Sequence, residues 1–139
     1  MGEVRVGVVG YCPPTKFDAH EAQQLIVAAF NAVELRHPGV AIAVVSGLAD
    51  LGVPGLAYAE ATKRGWRTVG VVCRRRAEKY PLFPVNEARI IDNESEESVE
   101  FLGYITELLK FGGGAQSLRE AEMAETMGKA VFRYELLAL

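Results

Sequence analysis

Cysteine is scarce in this chain, with Cys12 and Cys73 the only two in 139 residues. No CxxC or Cys/His spacing joins them, which argues against a disulfide framework and against a structural metal site, so both thiols are expected to be reduced. Long apolar runs are missing as well. The longest, Val6 to Tyr11 and Ile42 to Val45, are far below the roughly 20 residues that a membrane helix needs, and the N-terminus has no basic-then-apolar signal layout. The expectation is a cytoplasmic protein with no membrane partner. Nor is there an excess of basic charge: 15 Lys and Arg stand against 18 Asp and Glu, for a net charge of −3. A nucleic-acid partner is therefore disfavoured, because neutralising phosphates is what drives that binding, and Arg74-Arg75-Arg76 is the one local exception. Finally, no GxGxxG follows the first apolar run and no GxxxxGK[ST] occurs anywhere, which disfavours an ordinary dinucleotide dehydrogenase or P-loop NTPase.

What the sequence does contain is a repeated strand–turn–helix pattern. Val4 to Tyr11 is a β-branched, nearly continuous apolar run, which predicts a strand buried on both faces, as in a parallel sheet. Pro13-Pro14 ends it, Thr15 and Asp18 suggest a helix cap, and Ala22, Leu25, Ile26, Ala29, Phe30 and Val33 recur at helical spacing up to His37-Pro38-Gly39. A second strand is predicted over Val40 to Val45, a helix over Pro54 to Arg64 and a third strand over Arg67 to Cys73. Arg74 to Asn86 reads as less regular, with Pro81 and Pro84 excluding a long helix. A short strand over Ala88 to Asp92, a helix from Ser95 to about Tyr104, a strand over Leu108 to Phe111, a helix from about Leu118 to Met127 and a last strand over Ala130 to Leu136 complete the pattern. Successive βαβ crossovers imply a doubly wound, mainly parallel sheet of Rossmann type. Without linker or low-complexity tract, residues 1–139 are expected to form a single domain.

In such a sheet, ligands sit at the carboxyl edge of the strands, where helix N-termini offer free N–H groups and partial positive charge. Two glycine-rich turns lie on that edge. Ser46-Gly47 with Gly52-Val53-Pro54-Gly55 follows the second strand, and Gly112-Gly113-Gly114 follows the fifth. A turn without side chains lets phosphate or ribose oxygens approach the backbone, although each glycine can equally serve a tight turn with positive φ. Gly10 and Tyr11 reach the same edge from the first strand, and Tyr11 is a candidate to stack on a base. Ser117 and Gln116 are candidates to meet the ligand. Ser117 and Glu120 also have the spacing of a capping box. Arg74 is the arginine nearest its strand and the first choice for pairing with a phosphate. Asp50 can hydrogen-bond a ribose hydroxyl or cap the following turn. Cys12 has no histidine obviously placed to activate it.

The second-strand segment, Ser46-Gly47 through Gly52-Val53-Pro54-Gly55-Leu56 with Ala61-Thr62-Lys63-Arg64-Gly65 and Thr68-Val69-Gly70-Val71-Val72, resembles that of the Lonely Guy (LOG) family and the wider SLOG superfamily. That family was long described as lysine decarboxylase-like. Its PGGxGTxxE pattern is met by Gly112-Gly113-Gly114-Ala115-Gln116-Ser117-Leu118-Arg119-Glu120. The resemblance implies a Rossmann-like, nucleotide-binding protein and a homodimer; no cofactor is expected, and no metal, as the cysteine spacing already argues. For LOG enzymes it implies phosphoribohydrolase action on cytokinin nucleoside 5′-monophosphates. Gly112 replaces the motif proline, Gln116 a glycine and Ser117 a threonine. The Arg-Lys pair of those enzymes falls on a helix that here reads Ser95-Glu96-Glu97-Ser98-Val99-Glu100, without a basic residue. Glycosidic cleavage must stabilise an oxocarbenium-like centre and hold a phosphate, so the expected function is binding of a nucleotide-type ligand without hydrolysis. The alternative is a divergent nucleoside-monophosphate phosphoribohydrolase, with Glu120 and Arg74 as its catalytic pair. A DNA-handling module is the third reading, and the acidic balance places it last.

Overall fold

The computed structural model describes residues 2–139. Six strands, all parallel, form one sheet: β1 (Val4–Gly10), β2 (Ile42–Ser46), β3 (Arg67–Cys73), β4 (Glu87–Ile91), β5 (Glu107–Phe111) and β6 (Ala130–Tyr134), in the order β4-β3-β2-β1-β5-β6. The chain runs outward from β1 to β4, then crosses back to lay β5 beside β1. The crevice between β1 and β5 is thus the point where strand order reverses. The fold is a doubly wound, Rossmann-like α/β fold.

Among the described residues, five α-helices connect the strands: α1 (Ala19–Arg36), α2 (Gly52–Lys63), α3 (Arg74–Lys79), α4 (Glu97–Tyr104), entered through a 3-10 turn over Glu94–Glu96, and α5 (Ala115–Thr126). Alternation along the central strands decides which face each helix covers. Val4, Val6 and Val8 of β1, Ile42 and Val44 of β2, and Leu109 and Phe111 of β5 pack with Ala22, Ile26, Phe30 and Val33 of α1 and Val53, Ala57 and Tyr58 of α2. Val9, Val45, Val69, Val71 and Leu108 face the other way, onto Phe101 and Leu102 of α4 and Ala121 and Ala124 of α5. Among the described residues no helix is long and apolar enough to cross a membrane.

The expected elements are present, with shifts that have local causes. Asp18 alone caps α1, accepting from the Glu21 amide at 3.0 Å. α2 starts at Gly52 rather than Pro54, because the Gly55 amide already donates to the Leu51 carbonyl at 3.1 Å; Gly52 itself adopts φ +61°, and the Val53 amide donates to the Tyr11 carbonyl at 2.9 Å. The segment read as irregular begins with the short helix α3. It then pairs back on the β2–α2 turn through an antiparallel bridge between Ala49 and Leu82. α5 begins three residues early, at Ala115, with Gly114 as its cap. Ser117 is therefore its third helical residue, and the Ser117–Glu120 capping box does not form. At the opposite pole, His37 ends α1 and pairs its Nε2 with Glu107, which Arg36 also grips. Of the apolar C-terminus, Leu136 is buried in the core while Leu137 and Leu139 stand exposed.

Candidate functional site

A cleft of about 440 Å³ opens at the carboxyl edge, over the β1/β5 crevice. Its walls are the ends of β1 (Gly10, Tyr11, Cys12), β2 (Ser46, Gly47) and β3 (Val71, Val72), and the first turn of α5 with its cap (Gly114, Ala115, Gln116, Ser117). Tyr80 and Leu82, both partly exposed, form an apolar lip from the segment after α3. Among the described residues, three charged side chains line it: Arg76, Glu97 and Glu120.

The expected ligand residues divide. Gly10, Tyr11, Ser46, Gly47, Gly114, Gln116, Ser117 and Glu120 line the cleft, whereas Gly52, Gly55, Gly112, Gly113, Asp50 and Arg74 do not. The excluded glycines have structural reasons of their own. Gly112 adopts φ +58° and an added Cβ would lie 2.4 Å from the Leu136 carbonyl oxygen; Gly113 adopts φ +101° and would place one 2.6 Å from the Ser117 side chain. Gly52 abuts the Tyr11 carbonyl, and Gly55 packs on Asp50. Gly10 is in the wall, yet it too is required by packing, with the Phe111 carbonyl 2.6 Å from where a Cβ would sit. Gly47 and Gly114 differ. Neither has positive φ, and a Cβ at either would meet nothing within 4 Å. Nothing in the protein itself demands glycine at these two positions.

Two polar ends of the cleft follow from local structure. No side chain caps α5, and the first N–H groups of a helix have no partner within it, so this end carries free donors and partial positive charge. At α2 that capacity is largely spent, since the Val53 amide is bonded to Tyr11 and Pro54 has no N–H. Ser46 is also committed, its Oγ donating to the Val8 carbonyl at 2.7 Å. The Tyr11 ring stacks on Phe17, 6.0 Å between centroids, which occupies one of its faces.

The acidic end gathers Glu97, Glu120 and Arg76. Glu97, the first residue of α4, accepts from the Cys73 amide and from Arg76 Nη1 at 3.1 Å. Glu120 is buried and accepts from Ser98 Oγ at 3.0 Å. Burial pushes the Glu120 carboxyl above the usual carboxylate range and nearby Glu97 adds to this, against the hydrogen bond from Ser98 and the charges of Arg76 and Arg119. Arg74 instead bonds Asp92 at 2.8 Å, outside the cleft. The cation of the cleft is Arg76 and not Arg74, the arginine nearest the strand. Helical periodicity explains the exchange. Residues two apart on a helix project about 200° apart, so Arg74 and Arg76 of α3 cannot share a face.

No protein-family model matches the chain, and no curated protein matches it. Solved structures match in fold. An X-ray structure of TM1055, a Northeast Structural Genomics Consortium target, is 21% identical with a TM-score of 0.72, over 92% of this chain and 72% of that one. Two structures of the molybdenum cofactor carrier protein from Chlamydomonas reinhardtii are 20% and 22% identical, each with a TM-score of 0.70 over 95% of this chain and 76% of theirs.

Proposed function

We propose that this chain binds a nucleotide or nucleotide-derived small molecule in the cleft, with an anionic group on the first turn of α5, and does not hydrolyse it. The observation that carries this reading is the pair Gly47 and Gly114. They are the two cleft glycines that neither backbone conformation nor packing explains, and they flank the space where a ligand would approach the backbone. Gln116 and Ser117 stand beside that turn with hydrogen-bonding groups to offer. The kinship we infer is with the SLOG superfamily, as a member with the Lonely Guy turns but without the basic helix. It would act as a single cytoplasmic domain, as a monomer or a homodimer. A thermal-shift panel of nucleosides, nucleoside mono-, di- and cyclic phosphates, and the molybdenum cofactor tests the binding claim. A ligand at 100 times its dissociation constant adds about 2.7 kcal/mol of stability, and the absence of a shift with every compound removes the pocket claim.

The hydrolase reading is favoured by one observation, the buried Glu120 with its raised carboxyl in the cleft wall. Glu120→Gln separates the two. If the protein only binds, the variant keeps its ligand shift and no free base is released by either form. Base release by the wild type that is lost in the variant would establish the hydrolase instead. The substitution also has a pH signature. A carboxyl raised in the folded state favours folding below the unfolded value near 4.5, and that contribution is lost as pH rises through the folded value. Glu120→Gln keeps an acceptor for Ser98, so it is expected to be more stable than the wild type at pH 7 and to lose that advantage below about pH 4.5. Denaturant titrations of both proteins at the two pH values measure it.

A further inference from the structure

The triple arginine of α3 faces a strip of acids, and the match runs almost residue for residue. Arg74 pairs with Asp92 at 2.8 Å, Arg75 with Glu94 at 3.7 Å and Arg76 with Glu97 at 3.1 Å. The basic cluster that the sequence offers to phosphate is therefore compensated within the protein. In the cleft the balance tips further. One cation, Arg76, stands against two carboxylates, Glu97 and Glu120, so the lining has a formal charge of −1 when both are ionised and zero when Glu120 is protonated. Glu97 is also the fixed member of its pair: it is anchored on the Cys73 amide and its side chain is 11% exposed, against 41% for Arg76.

Resting on the binding function proposed above, we infer that Glu97 sets the charge limit of the ligand. As a built-in counter-anion to Arg76, it admits a ligand with one compact anionic group at the start of α5 and turns away polyphosphates. The geometry gives the mechanism. The first turn of α5 supplies the equivalent of about half a positive charge, enough for one phosphate-sized anion. A second and third phosphate would have to lie along the cleft towards Arg76, where Glu97 already holds the guanidinium and repels the incoming charge. Like charges on partly desolvated groups discriminate by more than solvent-exposed pairs do, because water screens them less. Arg76 is a ligand-facing residue on this reading. Glu97 acts through it, and through its own charge.

Orthophosphate, pyrophosphate and tripolyphosphate titrated into 15N-labelled protein provide the test, because they need no knowledge of the base. The signals followed are the amides of Ala115, Gln116 and Ser117. In the wild type, affinity is expected to stay flat or fall from orthophosphate to tripolyphosphate. In Glu97→Gln, which keeps an oxygen acceptor for the Cys73 amide, tripolyphosphate should gain about tenfold while orthophosphate changes little. That gain should vanish when Arg76→Gln is added. Should Glu97→Gln not fold, Arg76→Gln alone, on a side chain 41% exposed, provides the second test: it leaves Glu97 uncompensated in the cleft wall, and tripolyphosphate is expected to weaken more than orthophosphate. Wild-type affinity that climbs with each added phosphate, or a ranking unmoved by either variant, overturns the inference and leaves the binding function standing. Amides that respond to no phosphate in any of these proteins overturn both.

Discussion

Gly114→Ala should weaken ligand binding by about tenfold with no loss of thermal stability, whereas Gly112→Ala, two residues earlier, should cost about 2–4 kcal/mol of folding free energy. The contrast follows from what each position does. At Gly112 the φ of +58° is one that side chains rarely adopt, and a Cβ would lie 2.4 Å from a backbone oxygen that cannot yield without shifting the chain after β6. The left-handed conformation costs an alanine about 1–2 kcal/mol, and the overlap with Leu136 adds a comparable amount. At Gly114 the backbone is extended, with φ −91° and ψ −156°, and a methyl group meets only open space. Alanine there restricts the unfolded chain and is neutral or slightly stabilising, so any loss of affinity reports the methyl group occupying the ligand's place. Thermal melts with and without ligand read both quantities on one instrument. A Gly114→Ala protein that binds as tightly as the wild type would remove the main support for the α5 cradle.

The sheet was legible because its signals are local. A continuous apolar run such as Val4 to Gly10 has few alternatives to a strand buried on both faces, and helical spacing in α1 needs no tertiary knowledge. The turns were legible only in part. Glycine in a sequence marks a place where a side chain is unwelcome without saying what excludes it, and here Leu136, Tyr11 and Ser117 exclude it at three of the motif positions. Only the contacts and the backbone angles separate those positions from Gly47 and Gly114. The Arg76–Glu97 pair was hidden for a different reason. Arg74 to Lys79 carries no apolar stripe and buries no residue, so nothing in its pattern marks a helix or tells which arginine turns inward. That α4 carries no basic residue was visible. That Glu97 of α4 holds an arginine from α3 in the cleft wall was not.

Tyr58 shows the same limit most sharply, since from its spacing it is one more apolar position on α2. Its ring is fully buried against Phe83, 5.1 Å between centroids. Its hydroxyl accepts from the Ser46 and Leu48 amides, each at 3.1 Å, and donates to the Val69 carbonyl at 2.8 Å. These bonds close around Gly47 and hold Leu48 at φ +71°, with the Leu48 side chain seated in the space that the absent Cβ of Gly70 leaves. A leucine in that region costs of order 1–3 kcal/mol and persists only where its surroundings impose it. Tyr58→Phe leaves two N–H groups and a carbonyl without this partner at the floor of the cleft. The expected destabilisation is about 3 kcal/mol, in the range for buried polar groups stripped of a bond. The loss should be local as well as global. Hydrogen exchange at the Ser46 and Leu48 amides is expected to accelerate more than exchange in β1 or β5, and ligand affinity to fall with it, because Gly47 no longer holds its shape. Equal acceleration across the whole sheet would instead mean that Tyr58 serves the core alone and that the β2 turn is shaped by other contacts.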